Sequence, residues 1–149
     1  LLNLWRLARW RGLATTSEPL LAILHVGYFW VVLGAALLGV SLLTPIVAEA
    51  AAIHAFTAGA IGTMVLAVMT RVSRGHTGRP LEADRATNLI YATITLAGAT
   101  RVAAAFAHAF SMLLLEASAL LWVTSFLLFA ATYGPMLVSP GIDAGKRLA

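Results

Sequence analysis

Four long apolar runs alternate with short polar segments along the chain. The runs cover residues of about 20–43, 50–70, 87–107 and 112–138. Each is close to the ~20 residues that an α-helix needs to cross ~30 Å of hydrocarbon. They are rich in alanine and leucine and lack the strict alternation of barrel strands, so the pattern predicts helices. Because short connections make successive helices antiparallel neighbours, we expect an all-α membrane protein, an antiparallel bundle of four transmembrane helices.

The composition agrees with a membrane protein and excludes several kinds of chemistry. Of the 149 residues, 60% are hydrophobic and 11% are charged, whereas a soluble domain carries about 25% charged residues. The absence of cysteine excludes disulfides, thiolate catalysis and iron–sulfur ligation by this chain. The only close carboxylate pair is Glu82 with Asp84, in a polar connection, and no serine has a base at nucleophilic spacing. The sequence therefore does not favour a hydrolase or a transferase, while redox chemistry stays open.

The basic residues lie almost entirely on one side of the predicted bundle. They precede the first helix, occupy the 71–86 connection and follow the last helix, and Arg101 is the single exception. The positive-inside rule then places both termini and the 71–86 connection in the cytoplasm. The dispersal of these charges around apolar runs also argues against nucleic-acid binding.

Two end segments flank the predicted transmembrane domain of residues 17–140. Residues 1–16 are basic and amphipathic, typical of a short interfacial helix lying on the membrane, although an ordinary cytoplasmic extension fits equally well. Residues 141–149 are expected to form a cytoplasmic tail. Because the chain begins with Leu1 rather than methionine, we expect a processed chain or a piece of a longer protein.

Four histidines carry the candidate chemistry: His25, His54, His76 and His108. Imidazole is unfavourable to bury in a membrane, so such a residue usually faces a partner, a cofactor or water. It is also a frequent ligand of haem iron and copper. A hydrogen bond to a neighbouring helix is the plain alternative for each of them.

The predicted topology sorts these histidines by depth. His25 should lie ~9 Å below the cytoplasmic end of the first helix, and His54 near the opposite surface, so the two differ in depth by roughly 14 Å. His54 and His76 are 22 residues apart on one predicted helix and its loop. Neither His25 with His54 nor His54 with His76 can therefore bind the same metal. Two other pairs lie at similar depths and could do so: His25 with His76, and His54 with His108.

Two further side chains could assist a bound group. Arg101 lies inside the third apolar run, where a guanidinium needs an anion or carbonyl oxygens. A haem propionate would suit it, and so would an ion pair with Glu49 or Glu116. Tyr28 follows His25 by three residues and therefore lies beside it on the helix, where it could hydrogen-bond a ligand.

Several motifs resemble the NnrS family, which comprises multi-helix membrane proteins associated with haem, copper and the bacterial response to nitric oxide. The strongest are His-Ala-Phe-Thr-Ala-Gly-Ala-Ile-Gly-Thr-Met at 54–64 and Gly-His-Thr-Gly-Arg-Pro-Leu at 75–81. Weaker similarity is found at residues 24–30, 69–72, 101–102, 122 and 133–137. The resemblance covers about residues 17–140 and corresponds to the C-terminal part of longer family members. His108 has no counterpart in the family pattern, and the ending at 140–144 departs from it.

The resemblance implies a haem-binding module of a nitric-oxide-response protein in the bacterial inner membrane. It implies b-type haem, with copper as a second metal, and makes His25, His54 and His76 the ligand candidates, with Arg101 and Tyr28 beside them. Its partners would be the lipid bilayer and further transmembrane helices, from a longer chain or from a second copy. The alternatives are a structural helix-packing module without a cofactor and a fragment of a transporter, which should show broken helices at the midplane.

Overall fold

The computed structural model describes residues 2–9, 15 and 17–139. Its α-helices are α1 Leu2–Arg9, α2 Pro19–Leu43, α3 Glu49–His54, α4 Gly62–His76, α5 Arg85–Ala103 and α6 Ser111–Val138. A π-helical segment, Ala55–Ile61, joins α3 to α4 without a break, and a 3₁₀ turn, His108–Phe110, leads into α6. The remainder of the predicted amphipathic segment and the predicted tail lie outside the described residues.

Three helices in the described part of the chain are long and apolar enough to cross a membrane. They are Pro19–Leu43, the continuous helix Glu49–His76 and His108–Val138. The helix α5 has 19 residues but carries several threonines and Arg101, which lower its mean hydropathy. The fold is therefore that of an all-helical membrane protein, in which α5 is the least apolar of the long helices.

The long helices pack antiparallel around two apolar cores. One core joins the first turns of α2 and α5 to the later parts of the Glu49–His76 helix and of α6. Its residues are Leu20, Ile23, Leu66, Ala67, Ile90, Tyr91, Ile94, Phe129 and Tyr133. The other lies towards the opposite end and contains Trp30, Ala55, Ala60 and Val102. Because helix beginnings meet helix ends in the first core, neighbouring helices run in opposite directions.

The helix that begins at Glu49 continues past the predicted end near residue 70 and stops at His76. Gly75 does not break it. The helix ends instead in a Schellman motif. In this motif the Gly78 N–H donates to the Gly75 carbonyl, and the Arg79 N–H donates to the Arg74 carbonyl. Gly78 has a φ of 69°, which a glycine adopts without strain. The polar connection is therefore shorter than the sequence predicts.

The fifth helix begins and ends earlier than its apolar run. Asp84 caps it by accepting a hydrogen bond from the Thr87 N–H, the usual role of aspartate at this position. Arg85, which the sequence places in the connection, is therefore the first helical residue. The helix ends at Ala103, and a turn separates it from His108.

Candidate functional site

His54 occupies the point where the helix changes from α to π geometry. It is the last residue of α3 and is half-buried. The positive charge of Arg101, on α5, acts on its imidazole. The sequence placed both residues in apolar runs, and the fold brings them together across the contact between α5 and the Glu49–His76 helix.

An open, mostly apolar groove of about 460 Å³ lies beside Arg101 and reaches Ala58, four residues after His54. Arg101 lines it, together with Ala58, Leu115, Ser118, Ala119, Trp122 and Val123. Arg101 makes no hydrogen bond or ion pair with any described residue, since the single ion pair found there joins Arg74 to Asp84. The alternative pairing of Arg101 with Glu49 or Glu116 is thus not formed. The Arg101 guanidinium is therefore a cation beside an apolar groove, and no described carboxylate pairs with it.

His25 lies at a different level of the bundle. Gly34 of α2 packs against the Phe56 ring, and Gly27 packs against Met64, so α2 and the Glu49–His76 helix run past each other in a fixed register. In that register His25 and His54 are separated by eleven helical positions, or roughly 16 Å along the axis. One iron cannot bind both imidazoles.

The His25 ring is oriented by its own helix. Its Nδ1 is 3.1 Å from the Leu21 carbonyl oxygen and 3.5 Å from Thr15 Oγ1. A carbonyl oxygen only accepts hydrogen bonds, so the contact with Leu21 requires a proton on Nδ1. This is the tautomer that metal-binding histidines adopt when a backbone carbonyl orients them.

The neighbouring Tyr28 connects α2 to the N-terminal helix. Its hydroxyl donates to Asn3 Oδ1 of α1 over 3.0 Å. On α1, the Arg9 guanidinium lies 4.6 Å from the centre of the Trp5 ring, and Trp5 is 58% exposed. An exposed tryptophan beside arginines suits a membrane surface, and the Tyr28 hydrogen bond attaches that surface to the helix that carries His25.

The other two histidines are exposed. His76 is the last residue of α4, and His108 opens the 3₁₀ turn before α6. No group of three or more histidine, aspartate or glutamate side chains with metal-binding geometry occurs among the described residues. The fold does not gather His25, His54 and His76 into one centre.

The residue types near His54 are those that a b-type haem site uses. A haem takes an imidazole nitrogen, cationic partners for its propionates and apolar walls. His54, Arg101 and the groove provide one of each. A protein copper site commonly uses three or more ligands, a set that the described residues do not assemble.

A second polar cluster, which the sequence analysis missed, lies at the other end of the bundle. Arg74 is 7% exposed. It donates to Tyr133 Oη over 3.1 Å, to Asp84 Oδ2 over 2.6 Å and to Thr87 Oγ1 over 3.5 Å. Tyr133 and Thr87 are themselves 2.6 Å apart. The cluster ties α4, the polar connection, α5 and α6 together.

The electrostatics of Asp84 follow from this cluster. Partial burial alone would raise the pKa of its carboxyl, but hydrogen bonds from Thr87 and the charge of Arg74 outweigh that effect and hold the pKa below its usual value. From the sequence alone, Asp84 is one of a carboxylate pair in a polar connection, and Arg74 is one of several positive-inside charges. The sequence does contain one signal for this cluster. Asp84 lies three residues before Thr87 at the start of a helix, which is a capping pattern.

Comparisons with known proteins identify the family. A search of curated proteins gives no match, and a search of solved structures gives none either. The family model described as NnrS protein matches residues 1–140, which include His54, Arg101, the groove and the Arg74 cluster. The chain therefore belongs to the NnrS protein family.

Proposed function

We propose that this protein is a membrane-embedded haem-binding module of a bacterial nitric-oxide-response protein. Membership of the NnrS family supports a membrane protein of the nitric oxide response. The observation that carries the haem assignment is the half-buried His54 at the start of the π segment, together with Arg101, whose charge acts on that imidazole and whose side chain lines an apolar groove.

Each residue has a distinct role in this proposal. His54 would hold the haem through an imidazole nitrogen, and the Arg101 guanidinium would bind a carboxylate of the haem through charge-assisted hydrogen bonds. His25 serves a second site, where the Leu21 carbonyl fixes its tautomer and Tyr28 stands one turn away. His76 is a third ligand candidate at the end of α4, for haem or for copper. When bound, haem supplies an iron that can coordinate a diatomic gas.

We further propose that α5 crosses the membrane as a fourth span, with both termini in the cytoplasm of a bacterial cell. It packs along both α6 and the Glu49–His76 helix. Its threonines donate to carbonyls of their own helix, as Thr93 does to Leu89 and Thr100 to Leu96. Internal hydrogen bonding of this kind satisfies polar groups inside a bilayer. The basic residues then lie on the cytoplasmic side, as the positive-inside rule requires.

The test is the cofactor content of protein purified from membranes supplied with haem, and in parallel with copper. We expect a Soret band and bound iron. His54→Ala should remove one spectroscopic component and His25→Ala another, because roughly 16 Å of axial offset makes their sites independent. His108→Ala, an exposed histidine, is the matched control and should keep both components.

A protein that folds and binds neither haem nor copper would contradict the proposal. The structural-module alternative would then take its place. The close approach of α5 to the π-helical segment, where a Cβ on Gly98 would lie 3.0 Å from the Gly59 Cα, is the packing that such a module would use.

A further inference from the structure

The π-helical segment begins directly after His54. Ala55–Ile61 has π geometry, whereas α3 before it and α4 after it are regular. A π segment accommodates extra residues relative to an α-helix and is frequent at functional sites. One extra residue turns the side chains before it by about 100° relative to those after it, the angular step of an α-helix. The direction in which His54 points therefore depends on this segment.

The ring of Trp30, a residue of α2, packs closely against the π segment. It is 5% exposed. A Cβ added to Gly59 would lie 2.5 Å from the ring, and one added to Gly98 would lie 3.2 Å from it. The ring therefore fits because both neighbours, one in the π segment and one in α5, are glycines.

The Trp30 side chain acts here through its shape. Its indole N–H is buried and has no hydrogen-bond acceptor among the described residues. A buried indole normally finds such an acceptor, so hydrogen bonding does not explain a tryptophan at this position. The close packing of the Trp30 ring against the backbones of Gly59 and Gly98 does explain a tryptophan here.

We propose that Trp30 is the positioning residue of the His54 site: its ring, packed against both Gly59 and Gly98, holds the π segment and thereby sets the direction of the His54 side chain relative to Arg101. The contacts of the Trp30 ring with Gly59 and Gly98 do not depend on whether the protein binds a cofactor. The relevance of this positioning to cofactor binding rests on the function proposed above. Without the Trp30 ring, the segment can relax to α geometry, and the position that faces Arg101 shifts from His54 to its neighbour Ala55.

The absence of cysteine from the chain allows a direct test of this geometry without any cofactor. Two double variants are prepared, His54→Cys with Arg101→Cys and Ala55→Cys with Arg101→Cys, and treated in detergent with a short bismaleimide, which alkylates two neighbouring thiols. With Trp30 present, we expect crosslinking in the first pair and little in the second. Adding Trp30→Ala should reverse the two yields.

Two matched variants separate shape from general destabilisation. Trp30→Phe keeps a large ring and loses no hydrogen bond, so it should retain much of the original pattern. Gly39→Ala, also on α2 but with no atom within 4 Å of the added Cβ, should retain all of it. If Trp30→Ala does not fold, as judged by size-exclusion chromatography, Gly59→Ala displaces the ring instead and should give the same reversal.

The outcomes distinguish this inference from the proposed function. Unchanged crosslinking in Trp30→Ala, or in Gly59→Ala if the first variant does not fold, overturns the positioning role even if the parent binds haem. A reversal supports it even if the parent binds no haem. If the parent does bind haem, Trp30→Ala should also alter the electron paramagnetic resonance signature of the His54 component, and Trp30→Phe should restore it.

Discussion

Arg74 donates a hydrogen bond through Nε to the hydroxyl of Tyr133, 3.1 Å away, although 59 residues separate the two in the chain. Tyr133 is fully buried, and its hydroxyl also contacts Thr87 Oγ1. The contact joins the end of α4 to α6 and to the beginning of α5. It therefore fixes one end of the bundle, whereas the His54 site lies towards the other.

Removing the Tyr133 hydroxyl should destabilise the fold. Tyr133→Phe keeps the ring but leaves the Arg74 Nε–H without its acceptor and removes one of the partners of Thr87 Oγ1, which still donates to Asp84. An unsatisfied buried donor costs about 1–3 kcal/mol. Thermal unfolding in detergent should show a lower Tm. The control is Tyr28→Phe, which removes a hydroxyl whose hydrogen bond to Asn3 is exposed and should lower the Tm less. Equal decreases in Tm for the two variants would show that the buried hydrogen bond stabilises the fold no more than the exposed one.

The stability of the same cluster should depend on pH through Asp84. Because the folded state holds the pKa of Asp84 below its usual value, the stabilisation is complete above a pH of about 4, the pKa of an unperturbed aspartate. It disappears as the pH falls through the lower folded pKa. The difference in Tm between the parent and Asp84→Asn should therefore be large at neutral pH and shrink in acid.

The control for this pH series is Glu82→Gln, which removes an exposed carboxylate two positions away. Its Tm should stay nearer to that of the parent at neutral pH. A constant difference between the parent and Asp84→Asn from neutral to acidic pH would contradict the assignment. Because Asp84 is 48% exposed, we expect the solvent to weaken its pairing with Arg74.

The bundle topology can be read by reporter fusions. If α5 is a fourth span, fusions after Pro45 and after Ala107 should both report the periplasm, and a fusion after Arg79 should report the cytoplasm. If α5 does not cross, Ala107 and Arg79 will report the same side. A periplasmic signal after Arg79 would contradict the orientation itself.

Hydrophobic pattern predicted the long helices because apolar runs of about 20 residues have few other structures available in a membrane. It could not predict the π segment after His54, because the side chain and backbone that pack against Gly59 of that segment, Trp30 of α2 and Gly98 of α5, come from other parts of the chain. The positive-inside rule likewise explains where arginines lie but not which one is buried. Arg74 differs from its neighbours only through Asp84 and Tyr133, which the fold brings to it.

Arg101→Leu should separate stability from cofactor binding. Because Arg101 has no ion pair among the described residues, its removal should leave no buried carboxylate there unpaired, and the Tm of the cofactor-free protein should change little. Haem retention should fall, because a propionate loses its cationic partner. A large drop in the Tm of the cofactor-free protein would instead show that Arg101 is a structural residue.

The most direct test of the haem assignment is a haem titration of the purified protein, followed at the Soret band, in the parent and in His54→Ala. Loss of a metal-binding nitrogen should weaken haem affinity at that site by at least the ~10–100-fold seen when even a supporting contact of a metal ligand is removed. His108→Ala, an exposed histidine that the proposal gives no role, should leave that component in place. We predict a saturable component that is lost in His54→Ala alone. Identical titration curves for the parent and His54→Ala would contradict the assignment of His54 as a haem ligand.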